Sequence, residues 1–331
     1  MITRTLLLLI ATLTSASALS NENVNQQLDV APGGKLVVEV DFGTVDVAAG
    51  ANDKVSVEAT RQIDCRDEAK EKEYIAAAPI TVGKEGNTVT IRARRQPREN
   101  SWSWGGHTNM DARYTVQVPR NFNIDLRTGG GTIIANDLAG EIVAHTSGGK
   151  LKFAHLQGPI TAKTSGGNIE LNACEGPLKV NTSGGHIDSV DGKGTLDART
   201  SGGSVVVRNF EGDTDVATSG GSLSLVNLNG KITGKTSGGS IAASLRTAVS
   251  GDLDLHTSSG SIELAVPPDA AFNIDAHASV GRVNTELPFV GTRTDGDHLK
   301  GQINGGGKSV VLRSGAGSII IKPAFREIVQ R

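Results

Sequence analysis

The residues of this 331-residue chain whose types and spacing could do chemistry fall in two places. Glu211, Asp213 and Asp215 alternate along one stretch, and Asp197 lies eighteen residues before Asp215 with Arg199 beside it. Glycoside hydrolysis requires paired carboxylates at a suitable separation, and crowding like charges raises at least one pKa. Asp197, Asp213 and Asp215 are therefore the candidate catalytic residues of a polysaccharide lyase or glycoside hydrolase. The competing and favoured reading is a solvated face. Lys179 and Thr233 stand at the neighbouring equivalent positions, and Lys152, Glu170 and Asp188 alternate in sign on the other sheet.

The second place is a loop. Arg92, Arg94, Arg95 and Arg98 precede Trp102-Ser103-Trp104-Gly105-Gly106-His107, which holds both tryptophans. Residues 96–110 lack strand alternation and join two strands, and long loops on regular scaffolds often carry function. Arg95, Arg98, Trp102, Trp104 and His107 are the ligand-binding candidates. Aromatic faces would stack on a sugar ring while the cations attract an anionic envelope polymer. The competing reading is a lid that caps a solenoid edge against end-to-end pairing.

Other chemistry is unsupported. The seven histidines show no H-x-x-x-H or H-E-x-x-H spacing, and two lone cysteines cannot build a four-ligand site, so no metal or cofactor is expected. Cys174 falls in a column with Leu138, Leu156, Phe210 and Leu228 and reads as core; Cys65 is far from it in sequence. A net charge of −2 excludes the basic footprint of a nucleic-acid binder.

The elements that would position these groups follow from a repeat. A Thr-Ser-Gly-Gly tetrad recurs at Thr146, Thr164, Thr182, Thr200, Thr218 and Thr236, every step being 18 residues, with degenerate copies at Thr128 and Thr257. Counting each tetrad Thr as position 1, position 6 is apolar throughout: Ile133, Leu151, Ile169, Ile187, Val205, Leu223 and Ile241. Positions 6 and 8, then 15 and 17, alternate as strands with one buried face, and position 13 is always Gly, from Gly140 to Gly230. One such unit cannot bury its own strands, but stacked units share a core and pair in parallel at about 4.8 Å per coil. The fold class is all-β, a parallel β-solenoid. It replaces the aromatic core that a content of 3% Phe, Trp and Tyr excludes, and 42 glycines supply its corners. The tetrad threonines should form an inward ladder, their hydroxyls bonded to backbone or to each other. No helical pattern follows any tetrad, so these are structural turns and not phosphate loops.

Around the array of residues 128–260, residues 19–127 read as a β-rich part continuous with it, containing one helix at 67–78, and 261–323 as less regular coils before a tail at 324–331. Residues 1–18 read as a signal peptide: Arg4, an apolar run from Leu6 to Leu13, and Ala16-Ser17-Ala18 as the cleavage site. That run is too short to span a bilayer. Export to a periplasm, or to the cell surface or beyond, is the expected destination.

The flanks carry a resemblance. Pro32-Gly33-Gly34 before Leu36-Val37-Val38, the Gly43-Thr44-Val45-Asp46-Val47 coil, Val118-Pro119 and the closing Gly315-Ala316-Gly317-Ser318-Ile319-Ile320-Ile321 resemble the family of bacterial β-strand-repeat proteins named "putative adhesin", a domain of unknown function. The resemblance implies an exported, right-handed β-helical scaffold and offers no catalytic motif. It points to a non-enzymatic interaction or structural module of the cell envelope. Its partner would be envelope polysaccharide, lipopolysaccharide or another envelope protein.

Overall fold

The structure, a computed structural model, describes residues 21–64, 68–95, 109–245 and 249–324. Among these, two long sheets of 14 and 15 strands lie face to face over one continuous core, with one helix, Glu68–Ala77. Each 18-residue unit contributes one strand to each sheet. In the first sheet, Leu151–Ala154 pairs in parallel with Ile169–Asn172, which pairs with Ile187–Val190, each residue opposite its equivalent one coil on. In the second, Ile160 faces Leu178, Leu178 faces Leu196 and Leu196 faces Thr214 in the same register. Strands alternate buried and accessible residues, as period-2 patterning requires.

The corner at the tetrad is the tightest part of the coil. Thr182 Oγ1 donates to the Gly167 carbonyl of the preceding coil at 2.9 Å and accepts from its own Gly185 N–H at 3.2 Å. Thr164, Thr200 and Thr218 repeat the pattern, donating to Gly149, Gly185 and Gly203 at 3.0, 2.8 and 2.7 Å. The last glycine of each tetrad lies directly on the last glycine of the coil below. A Cβ on Gly185 would sit 1.9 Å from the Gly167 carbonyl oxygen, so no side chain fits.

The opposite corner uses two devices. Position 13 takes positive φ, from 115° at Gly230 to 150° at Gly140, which favours glycine. Position 10 is also left-handed but carries side chains: Asp137, His155, Ala173, Asp191, Asn209 and Asn227 lie at φ between 49° and 59°. Asn and Asp tolerate this region. They bond along the stack, Asn227 Nδ2 to Asn209 Oδ1 at 2.9 Å and Asn209 Nδ2 to Asp191 Oδ1 at 2.8 Å. Gly192 interrupts the buried column of Leu156, Cys174 and Phe210, and the Phe210 ring occupies the space its missing Cβ leaves.

The ends depart from a simple sequential stack. Coils succeed one another in order only from Asn123 to Val266. The strand Lys308–Ala316 inserts between Leu253–Thr257 and Phe272–Val280, so the last coil in sequence is not the last in space. Beyond it, His298–Ile303 and Phe289–Thr294 close the second sheet as antiparallel strands. At the other end, Lys35–Val40 stacks on Asn123–Thr128, with Thr88–Ala93 and the antiparallel Thr81–Glu85 outside it. Asn21–Asp29 and Lys54–Asp64 close the first sheet in the same way. Residues 261–323, read from sequence as further coils, thus include an antiparallel cap, because a parallel stack ending on a bare edge would recruit another chain.

The core contains polar defects. Among the described residues, Thr214 Oγ1 and Ser189 Oγ are buried with no hydrogen-bond partner, and Thr214 stands in a column otherwise filled by Ile and Leu. An unpartnered buried hydroxyl costs about 1–3 kcal/mol. Thr214→Val should therefore raise stability by about 1 kcal/mol, read as a higher urea midpoint at unchanged m-value.

Candidate functional site

The acidic cluster lies on the outer face of the second sheet, where parallel register sets Asp197 beside Asp215 and Thr195 beside Asp213. These residues line a shallow groove of about 360 Å³ together with Lys179, Lys231 and Thr233. The aspartates are partnered there. Arg199 forks onto Asp215, Nη1 to Oδ1 at 3.0 Å and Nη2 to Oδ2 at 2.7 Å, while its Nε lies 2.9 Å from Asp197 Oδ1. Asp213 Oδ1 accepts from the Lys231 backbone N–H at 3.0 Å. The hydrogen bonds with Asp215 push the Arg199 guanidinium above its already high pKa, against the effect of burial and with help from the charges of Asp197 and Asp215. One permanent cation thus holds Asp197 of its own coil and Asp215 of the next.

The tryptophan loop meets the described structure at its root. Arg98, Trp102, Trp104 and His107 lie outside the described residues; Arg95 lies inside. The Arg95 backbone N–H and the Tyr74 hydroxyl both donate to Asp41 Oδ2 at 3.0 Å. The Arg95 guanidinium sits 5.8 Å from the centre of the Tyr74 ring. Burial, then the charge and hydrogen bond of Asp41, raise the Tyr74 pKa far above the ordinary phenol value, although Arg61 and Arg95 oppose this. Behind Tyr74, buried Arg61 pairs with Glu22, donates to the Ala78 carbonyl at 2.7 Å and stacks on the ring at 5.7 Å. Burial also pushes the neighbouring Tyr114 phenol up to about 12. The helix thus holds Arg95 against the edge of the solenoid, a device invisible in sequence because its partners are scattered from Glu22 to Arg95.

The tetrad threonines are inward and buried, Thr164 being 1% exposed. Their hydroxyls are engaged with backbone and so offer no ligand contacts. Cys174 is buried, and burial raises its thiol pKa; Cys65 lies outside the described residues. Among the described residues, no group of three His, Cys, Asp or Glu is arranged to hold a metal ion, and no helix is long and apolar enough to cross a membrane.

Sequence reading missed a second groove, of about 220 Å³, lined by Arg94, Arg127, His145, Asp41, Thr146 and Ser147. The signal was present: Arg127 and His145 each immediately precede a tetrad. Burial, then the charges of Arg127 and Lys163, hold the His145 pKa below the ordinary 6.5, with Asp125 opposing.

Similarity to known proteins covers most of the chain. A family model described as Toastrack DUF4097 matches residues 34–322. Among solved structures, a "putative adhesin" from Parabacteroides distasonis is 11% identical with a TM-score of 0.37, covering 92% of this chain and 97% of that one. One from Parabacteroides merdae is 9% identical with a TM-score of 0.32, and one from Bacteroides fragilis 12% identical with a TM-score of 0.27, both at the same coverage of 92% and 97%. No curated protein matches in sequence.

The His145 environment sets a pH dependence. A histidine whose folded pKa lies below its unfolded value binds fewer protons when folded, so stability is full above pH 6.5 and falls as pH drops below it. His145→Asn should lose less stability than the parent on acidification from pH 6.5, measured as urea midpoints. Parallel curves would contradict the assignment.

Proposed function

We propose that the chain, which belongs to the Toastrack DUF4097 family, is a non-enzymatic β-solenoid serving as an adhesin-like interaction or structural module of the bacterial cell envelope. The observation that carries this reading is the grip of Arg199 on both Asp197 and Asp215. A base or nucleophile must be free to approach its substrate, and a carboxylate engaged by a guanidinium is occupied. The remaining polar repeats, the Thr ladder and the Asn and Asp corner, bond to the solenoid itself. What is left for a partner is the length of the two outer faces and the loop that follows Arg95 in sequence.

The N-terminal segment fits this reading as an export signal, placing the module in the periplasm or at the cell surface. Envelope polysaccharide, lipopolysaccharide and another envelope protein are its partner classes. A carbohydrate-active enzyme is the second reading, favoured by the groove that brings Asp197, Asp213 and Asp215 together above Lys179 and Lys231.

Two measurements separate these readings. Titration with envelope glycans and lipopolysaccharide, followed by tryptophan emission, should give a saturable shift that Trp102→Ala/Trp104→Ala abolishes along with affinity; unchanged affinity in that variant removes the loop from the binding site. With Asp197, Asp213 and Asp215 all changed to Asn, neither the variant nor the parent should release sugar from the glycans. Sugar release by the parent that disappears in the triple variant would establish the enzyme instead.

A further inference from the structure

The residue immediately before each tetrad Thr forms a column on the outer face of the second sheet. Parallel register stacks Arg127, His145, Lys163, Arg199, Lys235 and His256 in this column, with Asn181 and Ala217 as the only interruptions between them. No carboxylate occupies it over this length. Beyond Arg127 the column continues to Glu39, which pairs with Arg92; the other acids, Asp125, Asp197, Asp215 and Asp254, stand two residues back, one column inward. Asp125 is forked by Arg127 at 3.0 and 3.1 Å, and Asp197 and Asp215 are held by Arg199. Lys163 and Lys235 are exposed, and among the described residues neither has a carboxylate partner.

Three further observations mark this edge as a surface for anions. At its N-terminal end the column opens into the groove that holds Arg94, Arg127 and His145. The acid there, Asp41, already accepts from Tyr74 and Arg95. Burial lowers the His145 pKa most, and the charges of Arg127 and Lys163 add to this with Asp125 opposing, so two cations of the column act on its ring. Beside the column, one residue past each Thr, the exposed hydroxyls of Ser147, Ser165, Ser183 and Ser201 line the turn.

We propose that this edge binds a linear polysaccharide bearing carboxylates, laid along the stack with about one sugar ring per coil. The coil rise of about 4.8 Å is close to the length of one ring in an extended 1,4-linked chain, so acidic groups would meet successive cations while ring hydroxyls meet the serines. A net charge of −2 over the chain and the lack of aromatic residues in the column disfavour a nucleic acid, which needs stronger charge and stacking platforms. The proposal rests on the non-enzymatic reading only in taking the bound polymer to be retained intact.

The test is calorimetric titration of the full chain with polygalacturonate, and with dextran as the neutral polymer. Polygalacturonate should bind saturably, with affinity falling as salt is added, and dextran should not bind. Lys163→Gln/Lys235→Gln should weaken binding about tenfold, a loss equivalent to about 1.4 kcal/mol, without moving the thermal transition. Lys152→Gln, on the opposite sheet, should leave affinity unchanged. Undiminished affinity in the double variant, equal binding of dextran, or binding to lipopolysaccharide vesicles with none to polygalacturonate would each overturn the proposal. Release of reducing ends from polymer bound at this edge would overturn the non-enzymatic reading and leave the binding face standing.

Discussion

Close contact between the glycines of successive tetrads is the constraint on which the rest of the molecule depends. The last tetrad glycine of each coil lies on its equivalent below, so tightly that a Cβ on Gly203 would fall 1.9 Å from the Gly185 carbonyl oxygen. That approach lets each Thr hydroxyl span two coils, donating to the carbonyl below and accepting from its own turn. Every bond of this kind also fixes the register of the strands that flank the corner. A one-residue slip would send the apolar column to solvent, and it would break the whole Thr ladder as well.

Because the corner bonds are internal, the chain needs few large side chains to hold together. Its core is built from Ile, Leu, Val and Ala in repeating columns, with Phe153, Phe210 and Phe272 as local fillers. The charged residues are then free to vary from coil to coil on the outer faces. Where they oppose, they bridge coils, as Arg199 does to Asp215; where they repeat, they build a surface of one sign. Function in such a scaffold follows from columns of residues related by the repeat more than from a single pocket.

The array was legible in sequence because its signal is periodic. The spacing of Thr146 to Thr236, the apolar column from Ile133 to Ile241 and the Gly140 to Gly230 corner each map onto one place in every coil. The ends were not, because nothing local states that Lys308–Ala316 inserts ahead of Phe272–Val280, or that Arg61 reaches Glu22 across the sheet edge. The carboxylate cluster was found by register, but only side-chain geometry shows that Arg199 reaches both aspartates. The left-handed residues of position 10 give no sequence signal since Asp, His, Ala and Asn share no hydropathy pattern, and the cationic column gives a weak one since Arg, His and Lys alternate in it with Asn181 and Ala217.

The tetrads are interlocked structure and not open ligand loops, and amide hydrogen exchange resolved by residue tests this most directly. The N–H groups of Ser183 and Gly184 donate to the Ser165 carbonyl at 3.1 and 2.9 Å, and that of Gly185 donates to Thr182 Oγ1 at 3.2 Å. Their protection should approach that of the strand amides of Ile169 and Ile187. Exchange of these turn amides at the rate of an unstructured peptide, beside protected strands, would contradict the account.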